Sequence, residues 1–100
     1  VSVALGIFKL TGADPKASTI AGVNWGRDTD CIAAMAAGLS GALSGVGTIP
    51  AEWIATVDTA TMASADTLYH RSIEEIAKGL YGAVRNNLAT LQQQIDSLEV

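Results

Sequence analysis

The sequence predicts an all-α fold, and three observations lead to that prediction. Apolar residues recur at spacings of three and four in several stretches, as they do on one face of a helix. No stretch alternates apolar and polar residues, and no Asn-Gly or Asp-Gly pair marks a tight β-hairpin. Apolar residues make up 49% of the 100 residues, which is enough to bury a core and too much for a disordered chain.

Two helices are predicted before residue 24. The first covers residues 1–10 and ends at Gly12, with three apolar positions on one face, Val3, Ile7 and Leu10. The second begins at Asp14, because Asp is a good N-cap and the proline after it fits the first helical position. It runs to about residue 23, with Ile20 and Val23 expected to face inward.

A third helix is predicted to begin between residues 28 and 30 and to end near residue 44. Residues 31–51 carry no charge, and this run is long enough to span a bilayer. Its large apolar residues form a single stripe and the others are small, which favours a buried helix outside the membrane. We expect it to be the most buried element, with Gly38, Gly41 and Gly45 against neighbouring helices.

The second half of the chain is predicted to contain a short helix, a loop and a C-terminal helical region. Pro50 marks the start of the short helix, which fades by residue 58, and residues 59–71 are predicted to be a loop. Residues 72–100 form the helical region, which starts at a capping box and has a possible end or kink at Gly82. Its first apolar positions are expected to face inward: Ile73, Ile76, Ala77 and Leu80.

Charge and cysteine content narrow the class of protein. The net charge is −4 and the six Lys and Arg residues are scattered, so we expect neither a nucleic-acid partner nor a membrane partner. A single cysteine excludes a disulfide within these residues and fits a reducing compartment, so we expect a cytoplasmic protein.

The residues best suited to bind a metal ion lie at the predicted start of the third helix. Asp28 and Asp30 flank Thr29 there, and carboxylate oxygens are the ligands that Mg²⁺ and Ca²⁺ prefer. A helix N-terminus keeps both carboxylates ionised, which metal binding requires. Asp and Thr are also ordinary N-caps, so simple capping is the alternative interpretation.

The neighbouring residues also allow two interpretations each. Cys31 could be a nucleophile with a lowered pKa at the helix start, or a small buried thiol. Arg27 could bind a phosphate or pair with a nearby Asp. Trp25 could stack on a base or a sugar, or pack beside the helix end. His70 lies in a polar region and is expected at the surface.

One segment resembles a known family over residues 23–53. It contains Asn24-Trp25-Gly26-Arg27-Asp28-Thr29-Asp30-Cys31, followed by Gly41-Ala42, Gly45, Ile49-Pro50 and Trp53. This pattern resembles the C-terminal metal-binding segment of the ADP-ribosylglycohydrolase family. The resemblance implies an all-α enzyme that binds two Mg²⁺ ions and hydrolyses the glycosidic bond between ADP-ribose and a protein side chain.

The resemblance also implies roles for individual residues. Asp28 and Asp30 correspond to the Asp-x-Asp pair that supplies metal ligands, and we expect them to be the catalytic positions. The family usually has a hydroxyl residue next, where this chain has Cys31, and a thiol is a poor ligand for Mg²⁺. Asn24, Gly26 and Arg27 are expected to contribute cofactor and ligand binding in the same loop.

The family's other metal ligands lie in an N-terminal acidic cluster that these 100 residues do not contain. We therefore expect residues 1–100 to be a single partial domain, the C-terminal portion of a compact helical hydrolase domain, inactive alone. Its expected partners are the N-terminal part of the same enzyme and an ADP-ribosylated protein or a small molecule containing ADP-ribose. The alternative function is a helical interaction or regulatory module without catalysis, which would dock a partner helix through its C-terminal stripe: Val84, Leu88, Leu91, Ile95 and Leu98.

Overall fold

The computed structural model describes residues 1–66 and 70–99, and every regular element among them is a helix. This confirms the predicted all-α class. The elements in chain order are α1 (Ser2–Leu10), α2 (Pro15–Trp25), α3 (Thr29–Ser44), a 3₁₀ turn (Val46–Thr48), α4 (Ala51–Ala63) and α5 (Ile73–Leu98). The chain divides into two compact units, Val1–Ile54 and Ala55–Val100. Within the described ranges, no helix has both the length and the apolarity that crossing a membrane requires.

The first unit is built around α3, which packs against α1, α2 and the 3₁₀ turn. Its core is small and consists mainly of short side chains, with Ala4, Ile7 and Ala36 fully buried. The closest approach between helices is at Gly22 of α2, where an added Cβ would lie 2.6 Å from the Cα of Ala33. Glycine is required there because the backbones of α2 and α3 meet almost directly.

A chain of three hydroxyl groups joins the helices of this unit. Thr11 Oγ1 lies 2.6 Å from Ser18 Oγ, which lies 2.7 Å from Ser40 Oγ. The two ends of the chain contact main-chain carbonyls, Thr11 the oxygen of Ile7 at 2.8 Å and Ser40 the oxygen of Ala36 at 2.9 Å. Ser18 and Ser40 are completely buried, and these contacts supply the hydrogen bonds that burial requires.

The helix starts agree with the sequence prediction. The Asp14 carboxylate accepts a hydrogen bond from the Ala17 N–H at 2.6 Å, with a proline at the first position of α2. Ser72 and Glu75 form the reciprocal capping box at the start of α5. Each of these caps joins residues three apart in the chain, so its formation does not depend on packing against another helix.

The predicted inward faces of α1 and α2 were partly wrong. Ile20, Val23 and Leu10 are exposed, whereas α2 buries Pro15, Ser18 and Gly22. The helices meet through their smallest residues, so the larger apolar side chains point away from the contact. Gly38 and Gly45 have no atom within 4 Å of their Cβ positions, and Gly41 has only the Ile49 side chain at 3.9 Å, so the predicted close packing of these glycines against neighbouring helices was wrong.

The second unit also differs from prediction. Residues 59–63 belong to α4 and not to the predicted loop 59–71, and the Thr59 hydroxyl donates to the Ala55 carbonyl one turn earlier. Ala60 and Ala63 favour the helix, because alanine has the highest helix propensity. Residues 67–69 lie outside the described part of the chain. Helix α5 passes through Gly82 without ending. The first apolar positions of α5 were predicted to face inward, but Ile73, Ile76 and Leu80 are exposed. The rest of its apolar stripe is exposed as well: Val84, Leu88, Leu91, Ile95 and Leu98.

Candidate metal centre and adjoining groove

The loop between α2 and α3 turns through two residues in the left-handed backbone region. Gly26 has φ 89° and Arg27 has φ 61°, a value that non-glycine residues adopt only uncommonly. The Thr29 N–H then donates to the Arg27 carbonyl at 3.0 Å, and α3 begins. This tight turn carries Asp28 directly to the first turn of α3.

Asp28 occupies the N-cap position, but its side chain makes no capping hydrogen bond. This distinguishes it from Asp14, whose carboxylate does cap its helix. The alternative that Asp28 is an ordinary cap therefore lacks the hydrogen bond that defines one. No backbone N–H at the start of α3 therefore holds the Asp28 carboxylate.

Asp28, Asp30 and Cys31 form a compact exposed cluster in which one potential ligand atom from each lies within 4.8 Å of the others. Two oxygens bound to the same Mg²⁺ ion can be up to about 4.2 Å apart, twice the metal–oxygen bond length. All three side chains are exposed, so the cluster is open to an ion from the solvent. The geometry fits a hard cation held by two carboxylates, while the sulfur suits Mg²⁺ poorly.

Hydrogen bonds lower the pKa of Asp30, whereas a hydrogen bond and nearby negative charges raise the pKa of Cys31. The pKa of the Asp30 carboxyl is held below its usual range by hydrogen bonds. The largest contribution comes from the Cys31 backbone N–H, and smaller ones come from the Asp28 side chain and the Asp30 N–H. A hydrogen bond to the Asp28 carboxylate, together with the negative charges of Asp28 and Asp30, raises the pKa of the Cys31 thiol. At neutral pH the site therefore presents an ionised Asp30 beside a protonated thiol.

These observations correct both sequence interpretations of Cys31. Its pKa is raised instead of lowered, because the thiol is hydrogen-bonded to Asp28 and lies close to the negative charges of Asp28 and Asp30. A nucleophilic thiolate is correspondingly disfavoured. The residue is also exposed and not a small buried thiol.

A groove of about 600 Å³ adjoins the cluster, and Asp28 lies on its edge. Trp25 and Arg27 line the groove, with apolar side chains of α1 and α3 beside them, including Val3, Ile32 and Met35. Trp25 is 59% exposed, so packing beside the helix end covers less than half of its surface. Within residues 1–66 and 70–99, Arg27 forms no ion pair with either aspartate.

The other predicted residues are placed as follows. Asn24 is exposed in the last turn of α2, and Gly26 is half-buried at the C-cap; neither lines the groove. His70 is exposed, as predicted. Ile32 and Met35 belong to the apolar stripe that was predicted to be buried; Ile32 packs against the core of the first unit, and both residues also line the groove. Their positions four and seven residues after Asp28 place them on its face of α3, a signal already present in the sequence.

Comparison with known proteins gives one match. Residues 1–89 match the family model described as ADP-ribosylglycohydrolase, which covers the cluster, the groove and most of α5. Among the curated proteins and the solved structures, nothing matches this chain.

Proposed function

Because this chain belongs to the ADP-ribosylglycohydrolase family, we propose that it supplies the metal-binding segment of a metal-dependent hydrolase. The bond to be cleaved is the glycosidic bond between ADP-ribose and an acceptor side chain. One structural observation carries the proposal: two exposed carboxylates, Asp28 and Asp30, lie together at a helix start, and Asp28 makes no capping hydrogen bond. The substrates are ADP-ribosylated proteins or small molecules that contain ADP-ribose.

Asp28 and Asp30 are the residues that would hold Mg²⁺. When bound, the ion would polarise the ribose and orient a water molecule toward the anomeric carbon. The two carboxylates provide fewer oxygens than the six that Mg²⁺ takes, so water, substrate and a further acidic segment of the enzyme would complete the coordination of two ions. Cys31 stays protonated beside them and contributes no oxygen. A reducing, cytoplasmic setting suits its exposed thiol.

The test is Mg²⁺ binding by the full-length protein, measured by isothermal titration calorimetry. We expect Asp28→Asn and Asp30→Asn each to weaken Mg²⁺ binding at least tenfold and to abolish hydrolysis. Each change removes a negative charge and one anionic ligand. The fold should persist, since both residues are exposed and Asp28 makes no capping hydrogen bond.

Asp14→Asn is the matched control, because Asp14 is also an exposed aspartate at a helix start in the same unit. It should leave Mg²⁺ binding and hydrolysis unchanged. Equal Mg²⁺ affinity in the wild-type protein and both site variants would refute the metal centre.

The exposed stripe of α5 favours a second candidate, a helical interaction module that docks a partner helix. Thermal melting separates the two candidates, because a ligand stabilises only a protein that binds it. The hydrolase should gain stability with Mg²⁺ and again with added ADP-ribose. An interaction module should respond to neither.

A further inference from the structure

We propose that helix α5 pairs with the α5 of a second copy of this chain, as an antiparallel two-stranded coiled coil over residues 81–98. The proposal assigns the exposed stripe of α5 to self-association and commits it to one partner and one orientation. It does not rest on the hydrolase chemistry, because the residues involved lie in the second compact unit and the metal centre lies in the first.

The first line of support is a heptad repeat in the second half of α5. Large apolar residues recur there at alternating spacings of three and four, which is the pattern of the a and d positions of a coiled coil. All of them are exposed, from 46% at Leu91 to 84% at Leu98. They form a seam about 27 Å long that a second helix can cover. The seam consists of six residues: Tyr81, Val84, Leu88, Leu91, Ile95 and Leu98.

The second line of support is that the seam is complementary to itself. In an antiparallel pair, each a residue of one helix packs against a d residue of the other. Leu88 then meets Leu91 of the second copy at the centre. The outer layers pair Val84 with Ile95 and Tyr81 with Leu98 in the same way. Every seam residue therefore has an apolar partner, and the same surface serves both copies, as a two-fold dimer requires.

The third line of support is the charge beside the seam, which selects the orientation. The e positions follow the d positions directly, and antiparallel pairing sets e against e. Lys78 of each copy then faces Glu99 of the other, and Arg85 faces Gln92. Lys78 already pairs with Glu74 at 2.6 Å, and its three donors allow a second carboxylate. Parallel pairing would join no lysine or arginine of residues 78–99 to an acid.

The fourth line of support is the extent of the family match. The matched region ends at residue 89, in the middle of the seam. Leu91, Ile95 and Leu98 lie beyond it, so the fold shared with the family does not account for half of the seam. This favours a partner particular to this chain over the rest of a hydrolase domain.

The dimer should be weak, because the contact involves one short helix from each copy. A standard interface buries roughly 800 Å² per partner, and a smaller one is expected to give a Kd of roughly 1–100 µM. Sedimentation velocity of the full-length protein across that concentration range measures the association.

The first variant tests the seam. Leu91→Asp places a charge in the central layer and should weaken self-association at least about tenfold. Gln93→Asp is the matched control, since it adds the same charge to an exposed position on the opposite side of α5. It should sediment as the wild type does. Circular dichroism of both variants checks that the helix content is unchanged.

A charge exchange tests the orientation. Lys78→Glu and Glu99→Lys should each weaken the dimer about threefold or more, because each puts like charges opposite one another. The double variant restores opposite charges and should recover the wild-type Kd. Recovery is specific to the antiparallel arrangement, in which these two residues meet.

Three results would overturn the proposal. They are a wild-type protein that stays monomeric across the range, a dimer that Leu91→Asp leaves intact or Gln93→Asp also disrupts, and a double variant that shows no recovery. A monomeric wild type would indicate that another part of the enzyme covers the seam. Mg²⁺ affinity is measured in parallel and should be equal in all variants, so failure of the dimer leaves the metal centre standing.

Discussion

The thiol of Cys31 lies beside two carboxylates, and this neighbourhood determines its reactivity. Its pKa is raised by the hydrogen bond to Asp28 and by the charges of Asp28 and Asp30. A raised pKa means that less thiolate is present at any pH below it, so the thiol should be slow to react at neutral pH. Cys31 is thus an exposed cysteine protected by charge and not by burial.

We predict that Asp28→Asn accelerates alkylation of Cys31 by iodoacetamide at pH 7–8. The substitution removes the carboxylate that contributes most to the raised pKa, so the rate profile should move to lower pH. Mass spectrometry of samples quenched over time gives the rate across a pH series. Asp14→Asn should leave that rate unchanged, and an unchanged profile in Asp28→Asn would contradict the assignment.

At the scale of elements, the contact between α2 and α3 limits side-chain size at one point. We predict that Gly22→Ala destabilises the protein by about 1–3 kcal/mol, because the new methyl would overlap the backbone of Ala33 and the helices would have to separate. A urea melt followed by circular dichroism measures this loss.

Gly38→Ala is the matched control, since Gly38 lies inside α3 with no atom within 4 Å of its Cβ position. Alanine is the better helix former by about 1 kcal/mol, so this variant should be slightly more stable. Loss of stability in Gly38→Ala, or none in Gly22→Ala, would show that the helices pack through a different face.

Comparing elements also shows what could be predicted from the sequence. Helix starts were predictable because caps such as Asp14 and Ser72 act within one turn. Buried faces were less predictable, since periodicity shows which residues share a face but not which face a neighbour covers. Ile20 illustrates this: its spacing indicates a core position, yet α2 turns its small residues toward α3. The Asp28–Asp30 pair could be predicted as a candidate site, whereas the groove depends on which side chains of α1 and α3 come together.

At the scale of the whole molecule, large apolar side chains remain exposed in both units, including Leu43, Leu80 and Leu88. The fully buried hydrophobic residues are mostly alanines. Burial of alanine contributes far less free energy than burial of leucine, so the hydrophobic contribution to stability is small. Exposed apolar surface on this scale is typical of a face that another segment or partner covers.

We therefore predict that the isolated 100-residue chain is marginally stable and does not release ADP-ribose from modified protein. The expected signs are a broad thermal transition, binding of a hydrophobic dye, and no product by chromatography. Supplying an acidic N-terminal segment of the same enzyme should sharpen the transition and restore hydrolysis. Turnover by the isolated chain would contradict this prediction.

The hydroxyl chain at the centre of the first unit has a further consequence. Thr11, Ser18 and Ser40 carry one hydroxyl proton each, yet they take part in four close contacts, two between hydroxyls and two with main-chain carbonyls. Thr11 and Ser40 donate to the carbonyls, so Ser18 can donate to only one of its two hydroxyl neighbours, and either neighbour can accept. α1, α2 and α3 are thus linked through oxygens in fixed positions, and the direction in which the middle hydroxyl donates can reverse without moving any of them.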